Sequence, residues 1–333
     1  MNHIELIDSL LAGNKPYRTP VSFWRHFFRM ETTAHELAKA MLDFQTEFGW
    51  DLMKVNPRAS CFIEPWEAEI EFSGDNLIKP RIIKFPVNSS SDWAKIIPMS
   101  PDSPAFAEQI QALRLISSGL RQSVYFLQTV FSPLSIAGDM VPRAEILIYD
   151  MKKSPKVIHQ VLENITESLI YYCHEILKTG AAGIFFATTE WASRDTIAEE
   201  LYAEFGKPYD LKVLDAAKDA KFNVLHVCKA HNMLNLFSDY PFRILSYADT
   251  DHGNMNLAEA HRQFPDKIIL AGIDYKGLLL NGSPGNLIHE AEAKSSQIPP
   301  ENWIVGPSCA IPPEVPIENL RALRRWVDSK IVL

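Results

Sequence analysis

Residues 222–228 read Phe-Asn-Val-Leu-His-Val-Cys, an apolar run holding one histidine and closed by a cysteine. A short run of this kind reads as a buried strand. Side chains alternate faces along a strand, so His226 and Cys228 point one way and Val227 the other. Residues 303–309, Trp-Ile-Val-Gly-Pro-Ser-Cys, have the same build and end on Cys309. Five more runs, at 51–55, 123–131, 182–188, 243–249 and 267–274, are continuously apolar rather than alternating, as expected for parallel strands covered by helices.

Helical patterns separate these runs at 154–179, 195–205, 257–263, 286–293 and 316–332. In the first, Val157, Val161, Ile165, Leu169 and Leu177 recur at helical spacing. Alternating strands and helices imply an α/β fold, either a doubly wound sheet or a (β/α)8 barrel. Two features favour the barrel. No composition shift marks a domain boundary, so residues 1–333 read as a single domain. Polar or reactive residues also finish nearly every strand: Asn56 and Arg58, Ser132, Thr188 to Glu190, His226 and Cys228, Asp249, Asp274, Cys309. In a barrel such ends converge on one mouth. No glycine-rich nucleotide motif follows any strand. Ile4, Ile7, Leu10 and Leu11 predict an N-terminal helical extension that Gly13 ends. Residues 71–108, polar and proline-bearing, read as an insertion or lid over the mouth.

Composition narrows the class. The 333 residues are 47% hydrophobic, enough for a sizeable core, and carry a net charge of −8. That charge argues against nucleic acid or an anionic membrane as partner. No apolar run approaches the ~18 residues of a spanning helix, and the start lacks the basic lead and apolar block of a signal peptide. Cys61, Cys173, Cys228 and Cys309 are too scattered for a secreted disulfide framework. A cytoplasmic enzyme is the expectation, with a homodimer compatible with the barrel.

His226, Cys228 and Cys309 are candidate zinc ligands, because two thiolates and an imidazole suit zinc and three ligands leave an exchangeable position. The bland alternative is a core histidine with two inert thiols. Asp249 and Glu190 end neighbouring strands and read as a fourth ligand or a general acid/base, or else as caps and solvated charges. Arg25 and Arg29, four apart in residues 23–30 (Phe-Trp-Arg-His-Phe-Phe-Arg-Met), share a face if that segment is helical. They would grip carboxylates there, or remain surface arginines. Asp251-His252-Gly253 lacks the spacing of a cobalamin-binding D-x-H-x-x-G, since Thr250 stands two before His252. The chain therefore carries no corrinoid module of its own.

Several stretches carry a resemblance: Arg18-Thr19-Pro20-Val21 leading into Arg25 and Arg29, Ser-Pro-Leu-Ser-Ile-Ala at 132–137, Leu-Ala-Gly-Ile-Asp-Tyr-Lys-Gly-Leu-Leu at 270–279, and residues 306–320. Together they resemble the uroporphyrinogen decarboxylase superfamily over essentially the whole chain. That resemblance implies a single (β/α)8 barrel. The superfamily holds porphyrinogen decarboxylases and zinc-dependent methyltransferases that move methyl groups between corrinoid proteins and thiols. Arg25 and Arg29 match the arginine motif of the decarboxylases. Asn56, Asp139 and Cys309 stand where that branch has aspartate, tyrosine and histidine. The methyltransferase branch has H-x-C on one strand and a cysteine on the last, which His226, Cys228 and Cys309 match.

The resemblance thus implies zinc on those three residues, a small thiol substrate and a methyl-corrinoid protein docked over the mouth. Asp249 or Glu190 would complete the metal sphere, and Arg25, Arg29, Asn56, Asp139 and Asp274 would surround the substrate. Porphyrinogen decarboxylation is the competing expectation. A third is a non-catalytic barrel that binds a corrinoid or tetrapyrrole.

Overall fold

The structure is a computed structural model and describes residues 2–100 and 102–330. Its strands are β1 (Leu52–Val55), β2 (Glu69–Glu71), β3 (Arg81–Lys84), β4 (Tyr125–Phe131), β5 (Gly183–Ala187), β6 (Val224–Val227), β7 (Ile244–Tyr247), β8 (Ile268–Ile273) and β9 (Trp303–Pro307). β1 and β4 through β9 form a parallel sheet in that order. All seven correspond to the apolar runs of the sequence, each of them shorter at one or both ends. They are continuous apolar runs because the sheet has two buried faces. Leu52, Leu127, Phe185, Val224, Ile244, Ile268 and Ile304 fill the interior, while a separate, larger cluster packs the strands against the outer helices.

The ring is closed by a stretch too short to read as a strand. Val21 bridges Val305 in parallel. Ser22 N donates to Val305 O at 2.9 Å and Val305 N to Pro20 O at 2.8 Å. On the other side Asp51 N donates to Val21 O at 2.9 Å, and Ser22 Oγ to Leu52 O at 2.7 Å. Residues 20–22 therefore stand between β9 and β1 and complete an eight-position (β/α)8 barrel.

The helix His3–Leu11, capped by Asn2 with a reciprocal Glu5 bond, forms the predicted extension. Its buried face is Leu6, Ile7 and Leu10, and Ile7 and Leu10 plug the base of the barrel beside Trp24 and Leu127. Asp51, just ahead of β1, ties this base together. It accepts from Arg18 through two bonds of 2.7 Å, from Val21 N at 2.8 Å, and contacts His3 Nδ1 at 2.7 Å. Burial pushes its carboxyl up, but Arg18 and His3 push further down, leaving it well below the usual carboxylate range.

Three expectations are corrected. The insertion runs from β2 to just before residue 104, because 104–108 open the barrel helix Pro104–Leu120. It is an antiparallel hairpin, β2–β3, and a 3-10 turn, Ser90–Lys95. The helix expected at 195–205 spans only Glu199–Phe205, since Asp195 turns instead to His231 Nδ1. The last helix is Ile317–Ser329, and residues 331 and 332 of the expected range lie outside the described residues. No described helix is long and apolar enough to cross a membrane.

Candidate metal centre

β6 carries His226 one residue before its end, opposite Ala187 of β5 and Ser246 of β7. Ser246 Oγ lies 3.0 Å from His226 Nδ1, which leaves Nε2 as the free ring nitrogen. Phe185 packs on the ring at 5.4 Å between centroids. Cys228 follows the strand directly, and the next residue, Lys229, has φ of 69°, a left-handed conformation uncommon without glycine. Such backbone strain concentrates at functional loops. Cys309 sits two residues beyond β9, so it reaches the site from a bend rather than by strand alternation.

The Sγ atoms of Cys228 and Cys309 are 3.4 Å apart, both thiols are free, and the three donor atoms lie within 4.8 Å of one another. A tetrahedral zinc with Zn–S bonds of ~2.3 Å would hold two sulfurs about 3.7 Å apart. The residues fit the metal in number, donor chemistry and spacing. The Cys309 thiol is held well below its ordinary value, first because Cys228 donates to its sulfur and then through His226 and Lys54, against the push of burial. Cys228 is raised for the reciprocal reasons, its bond to Cys309 and its burial. The pair releases a first proton readily and holds the second.

Two further residues near the triplet were missed. On β1, Leu52, Lys54 and Asn56 alternate inward, which puts a lysine inside the barrel. Lys54 Nζ lies 2.6 Å from Asn56 Oδ1 and over the Phe185 and Trp24 rings at 4.6 and 5.5 Å. Burial lowers the Lys54 ammonium to about 7, while Cys309 and Cys228 act in the opposite sense. Tyr275, after β8, is the other. Burial raises its hydroxyl far above its usual range, and the charges of Cys309, Asp251 and Cys228 add to this.

The hairpin covers a separate cavity of about 720 Å³ lined by His26, Glu31, Arg58, Arg81, Asp139 and Glu190 among others. Burial and the neighbouring Glu190 raise the Asp139 carboxyl to about 7. Glu190 follows Thr189, a β-branched residue at φ 44° whose hydroxyl donates to Ser135 Oγ at 2.8 Å. Asp139 and Glu190, read separately from the sequence, thus share one cavity.

Other expected residues lie elsewhere. Asp249 is outside the triplet. Ser246 faces His226, so Asp249, an odd number of positions on, is turned toward the outer layer. There it accepts from Ser308 Oγ at 2.7 Å and Gly272 N at 3.2 Å and pairs with Lys294 at 3.4 Å. Among the described residues neither Asp249 nor Glu190 joins the group able to share an ion. The condition for Arg25 and Arg29 to share a helical face is not met, since residues 22–27 carry no helix and 28–30 form a turn. Arg25 therefore donates to Pro313 O at 3.1 Å and stacks on Phe27 at 4.9 Å in an outer groove, while Arg29 is exposed. Asp274 accepts from Lys276 N at 3.3 Å and Gly277 N at 2.9 Å, holding its own turn.

A closed (β/α)8 barrel with a thiol–imidazole triplet inside its C-terminal mouth is the class that fold and site define. Residues 11–329 match the family described as Uroporphyrinogen decarboxylase (URO-D). The chain belongs to the uroporphyrinogen decarboxylase family. Among curated proteins it is 22% identical to the methylcobamide:CoM methyltransferase MtbA of Methanosarcina acetivorans, over 75% of this chain and 72% of that protein. It is 27% identical to a uroporphyrinogen decarboxylase of Chlorobaculum tepidum, over 54% of this chain and 51% of that one. A solved methyltransferase from Methanosarcina mazei superposes with a TM-score of 0.85 over 99% of both chains at 19% identity, which shows the shared fold.

Proposed function

We propose that the chain is a zinc-dependent methyltransferase that moves a methyl group from a methyl-corrinoid protein, or a related donor, to a small thiol. The observation that carries the reading is the triplet itself, three zinc-type donors within 4.8 Å of one another at the end of the barrel interior. His226, Cys228 and Cys309 would hold the metal. Bound there, zinc supplies the charge that keeps a substrate thiol deprotonated near neutral pH. Ser246 orients the imidazole, and the Cys228–Cys309 pair would supply negative charge that moderates the metal's acidity. Phe185 and Trp24 keep water from the floor of the site. The similarity to corrinoid-dependent methyltransferases supports the donor. Phe72, Leu77, Ile78 and Ile83 of the hairpin, exposed beside the mouth, offer that donor's carrier an apolar rim.

The test is metal content and methyl transfer together. Protein purified with zinc present should carry about one zinc per chain, and should demethylate methylcobalamin when a thiol is added. Cys309→Ser should lose both. Zinc-free protein with activity unchanged in Cys309→Ser would refute the reading. Conversion of uroporphyrinogen to decarboxylated products would favour the competing one.

A further inference from the structure

We infer that Asn254 is a positioning residue for Cys228: its side chain holds the bend that follows β6 and so aims the first cysteine sulfur at Cys309. The inference rests on the proposed zinc reading of the triplet and deepens it. β6 ends at Val227, so the strand ladder delivers Cys228 to the mouth but does not fix the backbone beyond it. Two of the next three residues are left-handed, Lys229 at φ 69° and His231 at φ 46°. Side chains other than glycine adopt that region at a cost, so something must hold it. The conformation matters at the sulfur itself, because the Lys229 N–H donates to Cys228.

Asn254, on the loop after β7, spends its whole amide on this bend. Nδ2 donates to Lys229 O at 2.7 Å and to Ala248 O at 2.6 Å, and Oδ1 accepts from Asn232 N at 2.8 Å. Two carbonyl oxygens, one from each loop, converge on a single nitrogen. Without it their dipoles repel and the loops part. The rest of the bend is tied independently, by Ser193 Oγ to Ala230 O at 2.8 Å and by His231 N to His252 O at 3.0 Å. Gly253 lets the loops meet this closely, since a Cβ there would lie 2.2 Å from the His231 ring. Lys229 is thus the residue that depends on Asn254. Released, it would relax toward negative φ, turn the Cys228–Lys229 peptide and take the N–H away from the sulfur.

The experiment uses the full chain and reads zinc affinity by chelator competition, together with the visible bands of the cobalt(II)-loaded protein. Asn254→Ala should lower zinc affinity about 10-fold, the effect of a partner one step removed from a ligand, and weaken the tetrahedral cobalt bands. Asn254→Asp is nearly isosteric but turns an oxygen on both carbonyls, and should do the same. Asn256→Ala removes the cap of the helix Leu257–Gln263 two residues on, and should cost stability while leaving affinity and bands unchanged. Glycine takes positive φ as readily as negative, so in a Lys229→Gly background Asn254→Ala should cost less than about threefold. A loss there as large as in the wild type would make the asparagine a general loop support and overturn the inference. So would an Asn254→Ala protein with wild-type bands and affinity within about twofold. Diamide, which oxidises a close thiol pair to a disulfide, probes the same geometry without metal, and Asn254→Ala should form the Cys228–Cys309 disulfide several-fold more slowly. A wild type that takes up neither zinc nor cobalt would overturn the parent reading alone, and equal diamide rates would overturn this one.

Discussion

Ser246→Ala isolates one bond at the centre of the site. The serine is fully buried on β7, and its Oγ lies 3.0 Å from Nδ1 of a histidine that is itself 4% exposed. With Nε2 bound to a metal, Nδ1 must carry the proton, and Ser246 is its partner. Removing the hydroxyl leaves that N–H buried without an acceptor, a cost of about 1–3 kcal/mol. A metal-free ring escapes part of this cost, because it can shift its proton to the other nitrogen. The penalty therefore falls mainly on the loaded state. Outer partners of metal-bound histidines are commonly worth about 10- to 100-fold in affinity, or about 1.4–2.7 kcal/mol, which falls within that energy range. Competition against a chromophoric zinc chelator at constant pH measures the effect, with His226→Ala marking complete loss of the ligand. Zinc affinity within twofold of wild type would refute the argument, and would mean that packing against Phe185 alone orients the ring.

Asp249→Asn should leave zinc stoichiometry unchanged and cost about 1–3 kcal/mol of stability, because the carboxylate serves Ser308, Gly272 N and Lys294; loss of metal by elemental analysis would place it at the ion after all. Asp51→Ala should cost about 3–5 kcal/mol in urea unfolding, since it strands the buried Arg18 guanidinium at the closure of the barrel, and a loss under 1 kcal/mol would contradict that role. Asp210 is fully buried between the hydroxyls of Tyr202 and Tyr240 at 2.6 and 3.0 Å, and burial raises its carboxyl from 3.8 to about 7. The folded state thus keeps a proton that the unfolded state loses, so this group's effect on stability worsens as pH climbs from about 4 to about 7 and levels off above. Asp210→Asn should remove that slope, worth up to ~4 kcal/mol, and parallel wild-type and variant stabilities at pH 5 and 8 would show the slope to come from elsewhere.

The strands were legible because each is buried on both faces and so reads as a continuous apolar run. Their ends were overread, since residues such as Asp249 and Asp274 leave the ladder to bond locally. The closing position, 20–22, was not legible. One bridge between Val21 and Val305 leaves no pattern in a window of sequence, and the pairing is decided by residues at opposite ends of the chain. The hairpin was invisible for the opposite reason. β2 and β3 bury almost nothing, so no periodicity marks them. The Arg25–Arg29 spacing has meaning only on a helix, and Phe23, Trp24 and Phe27 are each drawn into packing that holds the segment extended.

Strand alternation joined His226 to Cys228, and the same rule carried further accounts for what was missed. Stepping by two along β1 gives Leu52, Lys54 and Asn56, so a lysine had to enter the interior. Stepping by two along β7 gives Ile244, Ser246 and Ala248, so Asp249 had to leave it. Cys309 alone lies beyond the rule, because Pro307 ends β9 and the bend that follows sets its direction. The site therefore depends on two different kinds of placement. β1 and β6 fix the lysine, asparagine, histidine and first cysteine as part of a closed and well-packed barrel. The second cysteine rides on a short bend anchored by Ser308, whose hydroxyl donates to Asp249 at 2.7 Å. Asp249, though no ligand, thus holds the residue next to Cys309. A substitution there would loosen the Cys228–Cys309 spacing without removing a donor, and so raise metal exchange rates while leaving metal content unchanged.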